Sequence, residues 1–227
     1  MYRTVRYIIR MNSHSETFIE TDFTERQMTV LESALRLLVD GGEKAITTAG
    51  IARAANCSKE SLYKWFGDRD GILAAMITYQ ASKVRVSARL GGPSQSAEAF
   101  RSELETFAGD LLSVLSGKIS LALNRLAIGQ ASNDGSPLSN LLIERGRNVV
   151  RERAMVLLQS GQLADVLRFD DRAEAFDTLY GLIMGDFHVR MLLGETVPAL
   201  RDEIAQREHT VAAIDKFYLL YSKDRLN

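Results

Sequence analysis

Apolar side chains return in steps of three and four along most of this chain, the spacing of helices with one buried face. From Thr24 to Val39 they fall at Met28, Leu31, Leu35 and Leu38, with Thr24 placed to cap the helix and Gly41-Gly42 to end it. Between Thr47 and Phe66 the pattern shortens into a helix, a tight turn and a second helix. Thr48 is the expected cap of the first, and Ile51, Ala52 and Ala55 form its small apolar face. Asn56 sits at the reversal, where a left-handed backbone is needed. Ser58 caps the second helix, and Leu62 and Phe66 turn it back toward the first. A further helix is expected from Arg69 through Ile72, Leu73, Met76 and Ile77 to about Leu90, stopped by Gly91-Gly92-Pro93. A strut of that length would leave the N-terminal unit and enter the rest of the protein.

The remainder reads as helices throughout. Ser94 to Leu115 carries Phe100, Leu104, Phe107, Leu111 and Leu115 on one stripe, and Lys118 to Ala131 is short and strongly apolar. Asn133 to Pro137 is a turn, followed by a long helix to about Gly161 whose arginine-rich middle, Glu144 to Arg153, reads as a solvated face. Asp170 or Asp171 caps the next helix. Phe176, Tyr180, Ile183, Phe187 and Met191 share one side of it, with Gly181, Gly185 and Leu192 roughly opposite. The last helix, from Thr196 or Val197 to Ser222, carries Leu200, Ile204, Val211, Ile214, Tyr218 and Tyr221. With no strand alternation, the fold class is all-α, of about nine helices. The apolar pattern of the last two helices, and the glycines kept inside one of them, suit a four-helix seam between two copies of the chain, a homodimer.

Composition changes this picture little. The 227 residues carry a net charge of −1, which gives the whole chain no general affinity for nucleic acid or membrane. Locally, Arg53, Lys59, Lys64 and Arg69 stand against Glu60 and Asp68 between Thr47 and Arg69, four positive charges to two negative. DNA affinity would then come from placed contacts rather than a broad basic field. The single cysteine, Cys57, excludes an intrachain disulfide and fits a reducing, cytoplasmic location, its side chain filling a small slot in the turn. No apolar run has the length of a membrane span. Residues 1–23 form an N-terminal extension with Arg3, Arg6 and Arg10, a segment suited to a basic arm in a minor groove, and Met11 offers a second start. His14, His188 and His209 make no metal-spaced pair, and no phosphate loop, nucleophile elbow or CxxC is present, so neither enzyme chemistry nor a cofactor or metal is expected.

Lys59, Ser61, Tyr63, Lys64 and Trp65 fall largely opposite Leu62 and Phe66, a polar, cationic and aromatic set that suits a DNA groove. The run IARAANCSKESLYKWFGDRDGIL resembles the DNA-binding signature of the tetracycline-repressor (TetR) family of bacterial regulators, over roughly Phe23 to Lys83. It departs from that pattern at Asn56-Cys57, where Gly-Val is usual, and at Gly67, often Pro. The resemblance implies a helix-turn-helix domain over 24–83 and a helical ligand-binding and dimerisation domain over 84–227, pairing through the last two helices. It implies phosphate contacts from Thr47, Thr48, Tyr63 and Trp65, base contacts from Lys59 and Ser61, and either from Lys64. Ser58 starts the reading helix, with Arg53 and Arg69 as flanking phosphate partners. It also implies a double-stranded operator and a small-molecule effector, repression being the usual mode. A pocket for that effector would be walled by Phe100, Leu104, Phe107, Leu123, Leu126, Tyr180, Met184 and Phe187, with His188 and Arg190 as a polar end. Such a lining favours an apolar or aromatic molecule. The rival readings are an enzyme and a helical protein-interaction module without DNA binding.

Overall fold

Side-chain caps decide where each N-terminal helix begins. In the computed structural model, which describes residues 23–86, 92–130 and 137–223, α1 spans Glu25–Gly41. Thr24 Oγ1 accepts from the Gln27 amide while Gln27 Oε1 accepts from the Thr24 amide, a reciprocal capping box. A short 3-10 turn, Glu43–Ala45, leads to α2, Thr48–Ala54. The cap of α2 is Thr47 rather than the expected Thr48. Thr47 has the extended backbone a cap needs, and its Oγ1 accepts from Gly50 N at 2.9 Å, whereas Thr48 is already helical. Ser58 caps α3, Lys59–Phe66, and Asp68 caps α4, Arg69–Ser82. The α3–α4 corner is so tight that a Cβ on Gly71 would lie 1.9 Å from the Phe66 carbonyl oxygen.

The expected strut to Leu90 does not form, because α4 ends at Ser82. Arg153, buried in a later helix, donates from Nη1 to the carbonyls of Ala81 at 2.7 Å and Val84 at 3.1 Å, so the exit carbonyls find a partner outside the helix. Val84 is then fully buried, and the Arg85 amide and guanidinium both bond Asp110. The end of the expected strut (87–91), the N-terminal extension up to residue 22 and the turn over 131–136 lie outside the described residues.

The chain continues as α5 (Ala97–Ser116, capped by Ser96), α6 (Lys118–Gln130) and α7 (Pro137–Leu141). From α7 a π-helical stretch, Leu142–Arg147, leads without a break into α8 (Asn148–Leu163). The arginine-rich middle of this long helix is not all solvated, since Arg153 is buried. Asp171 caps α9, Arg172–Met184. The single helix expected through Met191 is two, because Gly185 takes φ 47° and its amide closes α9 on Gly181 O before α10, Phe187–Leu192. After a 3-10 turn (Pro198–Leu200), α11 spans Glu203–Tyr221, starting later than expected because Asp202 is its cap. Counting Pro137–Leu163 as one, ten helices and no β-strand occur among the described residues.

Two apolar cores result. One gathers Leu31, Leu35, Ile51, Leu62, Ile72 and Met76 from α1 to α4, each at most 1% exposed and each contributing about 1.5–3 kcal/mol by burial. Leu123 and Ala127 of α6 and Leu138 of α7 join this core, so the N-terminal unit rests on the C-terminal helices through shared packing. Tyr79 of α4 donates to Glu32 of α1 at 2.6 Å, and burial, with this carboxylate second, pushes the phenol pKa up to about 12. The second core joins α5, α8, α9 and α11 around Phe100, Phe107, Leu158, Leu179, Ile214 and Phe217.

Candidate nucleic-acid interface and ligand cavity

The α2–turn–α3 unit is held from three directions. Asn56 adopts φ 48°, the left-handed conformation its short polar side chain tolerates, and the Cys57 amide bonds Ala52 O at 2.9 Å. Arg26 reaches across from α1 and donates to the carbonyls of Ala55 at 3.0 Å and Asn56 at 2.6 Å, a clamp on the turn that sequence reasoning did not single out. Cys57 is half-buried, and desolvation raises its thiol pKa. At the start of α3, Ser58 Oγ accepts from Ser61 N at 3.0 Å, and the two hydroxyls lie 3.0 Å apart.

Leu62 is fully buried and anchors α3, while Lys59, Tyr63 and Lys64 face solvent, Tyr63 at 51% exposure. Arg53 and Thr47 are exposed beside them, and Thr48 and Ser61 are half-exposed. Trp65 departs from this set: it is half-buried, packs on the N-terminal core and meets the Phe66 ring edge-on at 6.2 Å. Arg69 is exposed but pairs with Glu43 at 3.3 Å, which offsets part of its charge. The result is a narrow cationic and aromatic strip on a helix fixed by its apolar side, the arrangement of a groove-reading helix.

Behind this unit lies a cavity of about 340 Å³ between α4, α5, α6, the π-helical stretch with the start of α8, and α9–α10. Its walls include Ile77, Leu111, Leu115, Leu123, Val150 and Phe176. Its polar groups include Gln80 of α4, Asn124, Tyr180 and His188, with Arg147 and Asp177 exposed at its margin. Burial lowers the His188 pKa, which keeps the imidazole neutral at physiological pH.

Comparison with known proteins agrees with this architecture. The family model described as "Bacterial regulatory proteins, tetR family" matches residues 30–76, and that of the "AefR-like transcriptional repressor, C-terminal domain" matches 102–223. A TetR transcriptional regulator from Agrobacterium tumefaciens, known from its crystal structure, is 56% identical with a TM-score of 0.72, over 88% of this chain and 96% of that one. The chain belongs to the TetR family. The Flavonoid-responsive Regulator FrrA is 25% identical, with a TM-score of 0.59 over 88% of this chain and 98% of that one. A TetR-family protein from Mesorhizobium loti, 19% identical with a TM-score of 0.65 over 89% of this chain and all of that one, shares the fold. No curated protein matches the chain.

This TetR-family chain is a helix-turn-helix transcription regulator, and its cavity is not walled as the helical stripes alone implied. Of the eight expected wall residues, Leu123 and Tyr180 line it. Phe100, Leu104, Phe107 and Met184 are buried in the second core, Leu126 packs on the N-terminal core, and Phe187 packs beside His209 with ring centroids 5.0 Å apart. His188 lines the cavity, but Arg190 pairs with Glu195 and Asp186 elsewhere. Gln80, Asn124 and Phe176 were not anticipated. Gln80 and Asn124 read as ordinary polar-face residues, and only the packing of α4 against the π-helical stretch, and of α6 against α5 and α10, turns them inward. No single helix among the described residues is long and apolar enough to cross a membrane.

Proposed function

We propose that this TetR-family regulator is a cytoplasmic repressor that holds a near-palindromic operator as a homodimer and releases it when a small apolar or aromatic effector fills the cavity. The observation that carries this reading is α3, anchored by buried Leu62 with Lys59, Tyr63 and Lys64 turned outward. Lys59 and Ser61, in its first turn, approach base edges. Thr47, Thr48, Arg53, Tyr63 and Lys64 grip phosphates, while Trp65 and Arg69, each already engaged within the chain, add less. The match of residues 102–223 to an AefR-like repressor domain supports repression, and the name of FrrA supports an aromatic effector.

Dimerisation supplies the second half-site. The outer side of α9–α11 suits that contact: Val189, Ile204 and Leu219 are exposed at 59–72%, and a Cβ on Gly181 would meet nothing within 4 Å. Footprinting on the DNA upstream of the protein's own gene tests the reading. Sharp protection of a near-palindrome, its half-sites about one helical turn or a small multiple apart, is the expected result. Salt-sensitive smearing alone would discard it and favour a protein-interaction module.

A further inference from the structure

Gln80 is the anomaly of the cavity. It sits in the last turn of α4, is 8% exposed, and lines the cavity with an Oε1 that is buried without a hydrogen-bond partner. A buried polar atom left bare is costly, and most have partners in a folded protein. His188 Nε2, across the cavity on α10, is buried and bare in the same way. Asn124 and Ser120 are unlike them, since Asn124 Nδ2 donates to Ser120 O at 2.8 Å. The two unmet groups face a space otherwise walled by Leu111, Leu115, Leu123, Val150 and Phe176.

The charges around the cavity decide what else the occupant carries. Arg147 and Asp177 are opposite in sign and exposed, and the Arg147 guanidinium lies over the Tyr180 ring at 6.0 Å. No charged side chain among the described lining residues is buried. An ionised occupant would therefore lose its hydration without a buried counter-charge. With Oε1 turned to the cavity Gln80 presents an acceptor, and a donor on the occupant satisfies it.

The geometry points to an uncharged ring compound bearing a hydroxyl, bound so that this hydroxyl donates to Gln80 Oε1 on α4. This inference rests on the reading of the cavity as the effector site. The bond falls on the helix that enters the DNA-reading unit, at the turn whose exit carbonyl Arg153 holds. The π-helical stretch opposite contributes Ile143, Gly146 and Arg147 to the wall, and Gly146 faces Ile77 of α4 with room for little more than a Cβ.

Calorimetric titration of the full chain with 7-hydroxyflavone, 7-methoxyflavone, unsubstituted flavone and a flavone carboxylate tests this. The hydroxyl compound is expected to bind at least about tenfold more tightly than the ether or the parent ring. In Gln80→Met that preference disappears, while the free variant melts at or above the wild type because a bare buried carbonyl has been replaced by an apolar group. A preference that survives Gln80→Met, tighter binding of the carboxylate, or binding of none of the four overturns the inference. So does a clear fall in the melting temperature of free Gln80→Met, which would make Gln80 structural. A cavity-filling Val150→Trp, or Leu115→Trp should the first not fold, separates the two levels. If the filled variant binds 7-hydroxyflavone like the wild type, the cavity reading itself fails. If filling abolishes binding but Gln80→Met keeps the hydroxyl preference, only the present inference fails.

Discussion

Lys59 and Lys64 are exposed on the same helix but at opposite ends of it, and their positions assign them different work. Lys59 is the first residue of α3, where side chains reach base edges, and Lys64 lies in the last turn, toward the backbone. Lys59→Ala is expected to cost about 1–3 kcal/mol on the operator and to relax sequence preference. Lys64→Ala is expected to weaken operator and unrelated DNA alike and to lower the salt slope by about 0.9. Gel shifts on both DNAs over a salt series distinguish these outcomes. Equal losses of specificity from both substitutions would contradict the proposed orientation of α3. Residues of this kind are legible in the chain itself: Ser58 caps, Asn56 reverses and Leu62 anchors because each acts on neighbours a few positions away. Arg26 was not legible, because its carbonyl partners lie 29 and 30 residues away.

At the scale of elements, α4 is shorter than its apolar spacing predicts. Nothing in its apolar spacing stops it at Ser82, and the stop comes from Arg153. Arg153→Met keeps most of the side-chain volume but leaves the Ala81 and Val84 carbonyls without that donor. A loss of about 1–3 kcal/mol in urea unfolding is expected. An unchanged midpoint would show that the clamp contributes nothing. The break at Gly185 has a related origin. A 100° period carries through it, yet its φ of 47° closes α9, and Arg125 then donates from Nη2 to Met191 O at 2.6 Å and from Nε to Leu192 O at 3.0 Å at the end of α10.

For the whole molecule, the exposed apolar face of α9–α11 is the feature a lone protomer leaves unexplained. The apolar residues of α11 divide: Ile214 turns into the chain's own core, while Ile204 and Leu219 turn out. Gly181 separates the two explanations for this face. Nothing in the protomer crowds it, so Gly181→Leu should leave folding intact or improve it, since glycine disfavours a helix interior. If another copy packs there, the same substitution shifts the sedimentation of the protein toward monomer and weakens operator binding. A Gly181→Leu protein that remains a dimer of full affinity would move the interface elsewhere. The cavity belongs to this scale as well, because its walls come from six stretches of chain and no periodicity within one of them reports on the others.

The order of residues by itself determined the all-helical class, the caps at Thr24 and Ser58, the left-handed turn at Asn56 and the outward strip of α3. These depend on hydrogen bonds and spacings that close within one or two helical turns. Tertiary structure alone decided where α4 stops, that Arg153 is buried, which aromatic residues serve the core, and that Gln80 lines a cavity. Each of those follows from groups up to about a hundred residues apart meeting in space, and local periodicity carries no record of such meetings.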